Sequence, residues 1–304
     1  MKKIIVTTTI NPPTEALKRF SKMDGWDLVV VGDRKTPHDA YRDFPCTYID
    51  PETQDAKYPR LSSLIGWNKI QRRSIGFIEA YHMGADIMAT IDDDNIPYPI
   101  WGNTKVGTVC YASRYKSDLV FDPLAVTNYP EIWHRGFPIE FLLDRKYEMT
   151  GVEEVKCLIE AGLWDGDPDI DAIARISLHP QVTFKIDGPY FSNSFTPFNS
   201  QNTIIARNVI PHYFMFPHIG RMDDIWGGYI AQARLNTRPV FIEPTVFQER
   251  NIQNPIRNME DEMIGYKNTL AFLRTLCYDG SDIAMEKFIP ENDVSAFKEY
   301  QSYF

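Results

Sequence analysis

Three carboxylates in succession, Asp92-Asp93-Asp94, follow directly on the short apolar run Ile87 to Ile91, with Gly84 ahead of the run and Pro97 behind it. A run of this length and type fills a central strand of an α/β sheet, and the flanking Gly and Pro end the regular structure on either side. Carboxylates emerging at the end of such a strand stand where open α/β sheets bind their ligands. Hard cations such as Mg²⁺ or Mn²⁺ take carboxylate oxygen together with substrate phosphate, so a metal-bound nucleotide is the ligand this chemistry implies. In extended geometry Asp92 and Asp94 point to one side, as candidate metal ligands, and Asp93 to the other. Asp and Glu make up 41 of 304 residues, so the triplet by itself reads more readily as a solvated turn. The strand in front of it and the residues around it move the reading towards a site.

The elements that must position these groups begin at the N-terminus. Ile4 to Thr9 is β-branched throughout and stops at Asn11-Pro12-Pro13, after which Thr14 to Ser21 reads as a helix. Asp27 to Asp33 repeats the pattern, an apolar strand ending in Gly32 and a carboxylate. Two successive strands thus deliver polar groups to what is expected to be one edge of a sheet. Apolar spacing at Ile75, Ile78 and Tyr81 predicts a helix over 68–83, with Lys69, Arg72 and Arg73 in its early part. The macrodipole disfavours cations there, so they read either as phosphate contacts or as a solvated basic face.

Further along, 189–202 is rich in turn formers and reads as a loop, with Phe191, Phe195 and Phe198 read either as sugar-site lining or as core. A strand is expected at 202–206 and a helix at 225–235, at whose start Asp223 and Asp224 read as ordinary caps. Phe241 to Pro244 is strand-like. From Asn258 the pattern is helical with Met263, Tyr266, Leu270 and Leu273 on one face, and a second amphipathic stretch covers 293–300. This tail is read as packing or homo-oligomer contact.

At 43% hydrophobic and 24% charged residues, the chain can bury a sizeable core. No linker, repeat or low-complexity tract divides it. The net charge of -9 argues against a nucleic-acid partner, whose phosphates need clustered Lys and Arg. Cys46, Cys110, Cys157 and Cys277 form no CxxC pair, so neither zinc nor a disulfide framework is expected, and a reducing, cytoplasmic setting fits. The apolar run after Met1-Lys2-Lys3 is too short for a signal-peptide core, and no encoded membrane span is expected.

The stretches Thr7-Thr8-Thr9-Ile10-Asn11-Pro12-Pro13-Thr14, Trp26 to Thr36, Arg72 to Gly76 and Gly84 to Asn95 resemble, in order, the opening of the STELLO-type glycosyltransferase family. The same order is similar to the plant reversibly glycosylated polypeptides, the UDP-arabinopyranose mutases. The resemblance implies a GT-A fold, a nucleotide-sugar donor and a divalent metal held by the acidic motif. His134-Arg135-Gly136-Phe137-Pro138 resembles the mutases' Arg-Gly-aromatic-Pro motif, whose arginine is reversibly glycosylated, and Gly162 to Asp165 with Asp167 to Asp171 resembles another mutase segment. A second arginine of that motif is Leu142 here, which weighs against mutase activity. Both families carry an element like Asp223-Asp224-Ile225-Trp226, in the region where many GT-A enzymes present an acceptor-side carboxylate. Gln248-Glu249-Arg250-Asn251 resembles the STELLO-type QxRN block, which makes Glu249 a metal candidate and Gln248 and Arg250 donor-side candidates.

The expectation is a single GT-A-type α/β domain with a mixed central sheet flanked by helices. Residues 1–125 form the nucleotide-sugar-binding half, 126–257 the acceptor-side half, and 258–304 a helical tail. The expected activity is transfer of a sugar from a nucleoside diphosphate donor, a UDP-sugar by resemblance, to an acceptor hydroxyl, in polysaccharide or glycan synthesis. Mn²⁺ or Mg²⁺ is expected on Asp92, Asp94 and Glu249. Thr8, Asn11, Asp33 and Asp93 are the expected nucleotide contacts, with Arg72 and Arg73 beside the phosphates. Asp224, or Asp223, is the expected base, with Arg135 as sugar contact. A nucleotide-sugar mutase and a non-catalytic partner of a polysaccharide-synthesising complex remain as alternatives.

Overall fold

The computed structural model describes residues 1–250 and 253–304; Asn251 of the late polar block lies outside the described residues. The first half runs β1 (Lys3–Thr9), α1 (Glu15–Phe20), β2 (Trp26–Gly32), β3 (Thr47–Ile49), α2 (Pro51–Lys57), α3 (Pro59–Ile65), α4 (Arg73–His82), β4 (Ile87–Ile91) and β5 (Asn95–Pro97). The antiparallel pair β6 (Val109–Lys116) and β7 (Glu148–Lys156), joined by a long connection, follows, then β8 (Ile159–Gly166), α5 (Ala172–Leu178), β9 (Tyr190–Ser192), β10 (Asn202–Ala206), α6 (Asp223–Leu235) and β11 (Val240–Gln248). Three helices close the chain: α7 (Pro255–Tyr278), α8 (Ser281–Phe288) and α9 (Glu291–Gln301).

All these strands join one mixed sheet in the order β3-β2-β1-β4-β10-β8-β11-β9-β6-β7, with β5 paired beside β11. β1, β2, β3 and β4 are parallel, as a strand-helix-strand chain with β-branched, doubly covered strands must be. β10 then enters antiparallel to both β4 and β8. The carboxyl ends of β1, β2 and β4 therefore share one edge, as the sequence implied. α4 lies close on this parallel block because Gly76 faces it: a Cβ there would meet Val6 Cγ1 at 2.5 Å and Val31 Cγ2 at 2.8 Å.

Four local readings change. The expected helix at 68–83 begins only at Arg73, after a 3₁₀ turn Ile70–Arg72, because Asn68 takes φ 59° and breaks the run. The stretch 189–202 contains the short strand β9, and Phe191, Phe195 and Phe198 are buried in the core. α7 turns a different face inward, burying Glu262, Gly265, Thr269, Phe272, Leu273 and Leu276 while Met263 is exposed. Gly265 allows this: a Cβ there would meet Met222 Sδ at 2.5 Å, and Glu262 is drawn in by an arginine. The tail holds three helices, of which α9 packs on α3 and anchors through the Tyr300 hydroxyl, which donates to Ile210 O at 2.6 Å. Among the described residues no helix is long and apolar enough to cross a membrane.

Candidate functional site

The acidic triplet divides at the carboxyl edge of β4, but by a turn and not by strand alternation: the strand ends at Ile91, and Asp93 and Asp94 are the central residues of a turn closed by the Asn95 N–H donating to Asp92 O at 3.3 Å. Asp93 turns towards β1, accepting from the Thr9 hydroxyl and from Asn11 Nδ2 at 3.0 Å, while its carbonyl accepts from the Thr14 hydroxyl at 2.6 Å. Asp92 and Asp94 turn to the other side and line a cavity of about 670 Å³. Asp92 is fixed by Arg73 Nη2 at 2.6 Å, and Asp94 Oδ1 is buried with no partner among the described residues. Burial, then Asp92 and Asp93, push the Asp94 carboxyl up to about 8 against the pull of Arg250. A buried, unpartnered carboxylate oxygen among like charges fits a cation ligand. Among the described residues no group of three or more His, Cys, Asp and Glu side chains converges on a metal position. Asp92, Asp94 and Glu249 are therefore not one closed ligand set, and a cation here would complete its shell from bound phosphate and water.

The strand-end residues Thr8, Asn11, Asp33 and Asp93 line a separate pocket of about 270 Å³ with Asn68 and Lys69. Asp33 holds its wall together: Oδ1 accepts from the backbone of Arg34 at 2.6 Å and Asn68 at 2.9 Å, and Oδ2 from the backbone of Lys69 at 3.0 Å. Glu249 opens on a third cavity, with Asn11, Asp93 and Asp94.

The two neighbouring arginines part company. Arg73, fully buried, donates to Asp92, to Ser200 O at 3.0 Å and to Ser200 Oγ at 3.1 Å, so it orients the acidic motif against the loop ahead of β10. Arg72 points away from the cavity. It donates to Gln54, Ser62 and Gly66 and lies over the Trp67 ring at 3.4 Å, and burial lowers it to about 10.

Asp223 and Asp224, which also line the large cavity, open α6 but do not cap it. Asp224 is clamped by Arg135 Nη1 at 3.0 Å, by the Ser200 backbone N–H at 2.8 Å and by Ser200 Oγ at 3.0 Å. Burial works to raise its carboxyl, but Arg135 and Ser200 outweigh that and hold it below its ordinary value. Asp223 accepts from Gln71 Nε2 at 2.7 Å and meets Arg135 only at 3.7 Å, and burial with Asp224 beside it pushes its carboxyl up to about 7. Arg135 also donates to the Arg221 carbonyl and, at 2.9 Å, to Asp169. Burial opposes its charge, yet Asp169, Asp224 and Asp223 hold it protonated well above the ordinary value. Gln248 and Arg250 reach the same cavity from the end of β11, Arg250 donating to Asp169 at 2.7 Å and to Pro168 O at 2.7 Å. Leu142 sits half-buried in a 3₁₀ turn that does not line this cavity.

Several lining residues were not singled out from the sequence. Asp169 lies within a run of alternating aspartates, and nothing in that run marks it over Asp165, Asp167 or Asp171. Arg221, Ser200, Gln71 and His218 carry no local signal, since their place depends on contacts across more than a hundred residues in the cases of Ser200 and Gln71.

No family model matches the chain. The Arabidopsis thaliana protein named Probable glycosyltransferase STELLO2 is 25% identical over 256 residues, which cover 77% of this chain and 33% of that protein. Probable glycosyltransferase STELLO1 of the same plant is 25% identical over 185 residues, 56% of this chain and 24% of that protein. The resemblance to the STELLO-type family is thus borne out at a distance, and the chain spans about a third or less of the length of the curated relatives it matches.

Proposed function

We propose that the chain moves a sugar from a nucleoside diphosphate sugar to an acceptor hydroxyl. The observation that carries this reading is the division of the acidic triplet between a strand-end pocket and a large cavity that Asp223 and Asp224 also line. The two relatives named as probable glycosyltransferases support it. On this reading the nucleoside sits against Thr8, Asn11, Asp33 and Asp93, and the diphosphate crosses to Asp92 and Asp94, within reach of Lys69 and Arg250. Asp94, with the free oxygen of Asp92, fits Mg²⁺ or Mn²⁺, which when bound supplies Lewis-acid stabilisation of the leaving diphosphate.

The acceptor hydroxyl is placed at Asp223. Its oxygen forms the bond to the sugar carbon, the bond to the diphosphate oxygen breaks with the electron pair on the diphosphate, and the hydroxyl proton passes to Asp223. A carboxyl raised to about 7 is suited to take that proton near neutral pH. Asp224, which the sequence placed first, is tied to Arg135 and Ser200 and serves better to fix the wall. Arg135, held protonated among three carboxylates, lacks the free lone pair that attack on a sugar needs, which favours transfer over the mutase route.

Calorimetric titration with UDP and a panel of other nucleoside diphosphates, with Mn²⁺ or with EDTA, tests the donor site. At least one should bind in a metal-dependent manner, and Asp94→Asn should weaken that binding without unfolding the chain. Affinity unchanged by EDTA and by Asp94→Asn would refute the assignment.

A further inference from the structure

One carboxylate in the cavity wall gathers more cations than any other side chain there, and the transfer reading leaves it unused. Asp169, buried, accepts through Oδ2 from Arg135 at 2.9 Å and through Oδ1 from Arg221 at 2.5 Å and Arg250 at 2.7 Å. These arginines come from three separate parts of the chain: the turn after Trp133, the 3₁₀ turn ahead of α6, and the end of β11. Each has a second carboxylate or carbonyl. Arg221 holds Glu262 at 2.9 Å, Arg250 holds Pro168 O, and Arg135 holds Asp224 with Asp223 just beyond hydrogen-bond reach.

Arg135 therefore lies between Asp169 on one side and the Asp223–Asp224 pair on the other, and its position decides how much positive charge the pair feels. The groups facing Asp223 are Asp224 on its own helix, Arg135 from the turn, the neutral Gln71 from the segment ahead of α4, and Tyr213 from the segment ahead of α6, whose phenol burial and the two carboxylates keep protonated. Those facing Asp169 are Arg135, Arg221 and Arg250. Asp169, Asp223, Asp224 and Glu262 oppose Arg135, Arg221 and Arg250, so the cluster has one carboxylate more than it has cations. Of the four, Asp223 has the most distant cation, at 3.7 Å, which makes it the natural seat for a shared proton.

We infer that Asp169 is a positioning residue that sets the proton affinity of Asp223, by holding Arg135 away from it. The inference rests on the transfer reading for what Asp223 is used for, but not for how it is measured. Without Asp169, Arg135 falls wholly to Asp223 and Asp224. An arginine moved into contact lowers a carboxyl by about one to three pH units.

The test is infrared difference spectroscopy of the whole chain across pH 4–9, with neither donor nor acceptor present. Asp94 also titrates in this range, so the signal is read as the wild type minus Asp223→Asn: a protonated-carboxyl component titrating near neutral pH should be lost in that variant alone, which identifies it. In Asp169→Asn its midpoint should fall by about one unit or more. In Arg221→Gln, where Asp169 is left to grip Arg135 harder, the midpoint should rise. This second variant decides the matter if Asp169→Asn does not fold. An unmoved or raised midpoint of that component in Asp169→Asn, an unmoved or lowered one in Arg221→Gln, or no component near neutrality that Asp223→Asn removes would overturn the inference. None of these outcomes touches the donor titration, so the two readings fail separately.

Discussion

Asp94 carries a buried oxygen with no partner among the described residues, and two further aspartates adjoin it. A pH dependence follows. In the folded chain Asp94 titrates at about 8 against an ordinary 3.8, so between those values the folded state binds the extra proton. Stability from this group is complete below the unfolded value and is lost as pH rises through 8. Urea denaturation in EDTA should show the wild type losing stability relative to Asp94→Asn between pH 5 and pH 8.5, and parallel curves would contradict the assignment. The neighbouring pair on α6 yields a second expectation. Asp223→Asn should cut turnover by about 10²-fold or more, the usual cost of a lost base, with donor affinity kept. Asp224→Asn should instead disturb Ser200 and Arg135 and show in stability as well as rate, so equal turnover losses with no change in stability would undo the division of roles. At the level of single groups the sequence was informative where chemistry is local: three aspartates after a strand announce themselves. It was silent on Asp169, Arg221 and Ser200, whose partners are far away in the chain.

The parallel strands were legible because β-branched runs closed by Gly, Pro and carboxylates allow little else. Where readings slipped, a tertiary contact had overruled a local pattern. Asp33 pins the N–H groups of Asn68 and Lys69 and so delays the start of α4, and Arg221 draws Glu262 inward and rotates α7. The seat of α4 matters to the site because its first residue, Arg73, grips Asp92. Gly76→Ala should force the helix off Val6 and Val31 and cost about 1–3 kcal/mol, the usual penalty for overpacking. Chemical denaturation measures the loss, and cation-dependent nucleotide binding should weaken with it. A neutral substitution would mean that the helix has room the contact distances deny.

Taken whole, the site is assembled from both halves of the sheet and from the C-terminal helices. His218 on the cavity rim donates its backbone N–H at 2.9 Å to the buried Asp293 of α9, and its ring also meets that carboxylate. The tail, expected as packing or oligomer contact, thus reaches the cavity. Asp293→Ala should cost about 1–3 kcal/mol by orphaning the His218 donors, measurable by denaturation, with weaker binding in the cavity. Retention of full stability would show the tail to be dispensable for the rim.

The antiparallel entry of β10 between β4 and β8 carries a consequence for synthesis. Chains emerge from the ribosome N-terminus first, and β1 to β4 can pair as soon as they are free. At that moment the acidic triplet is already present, but Gln201, whose carbonyl receives the Asp92 N–H, and Ser200, which receives Arg73, have yet to be translated. A nascent chain therefore already holds Asp93 through Thr9 and Asn11 and can reach Asp92 with Arg73, but the Asp92 N–H and the rest of the Arg73 fork stay unpaired at an open sheet edge until the segment leading into β10 arrives.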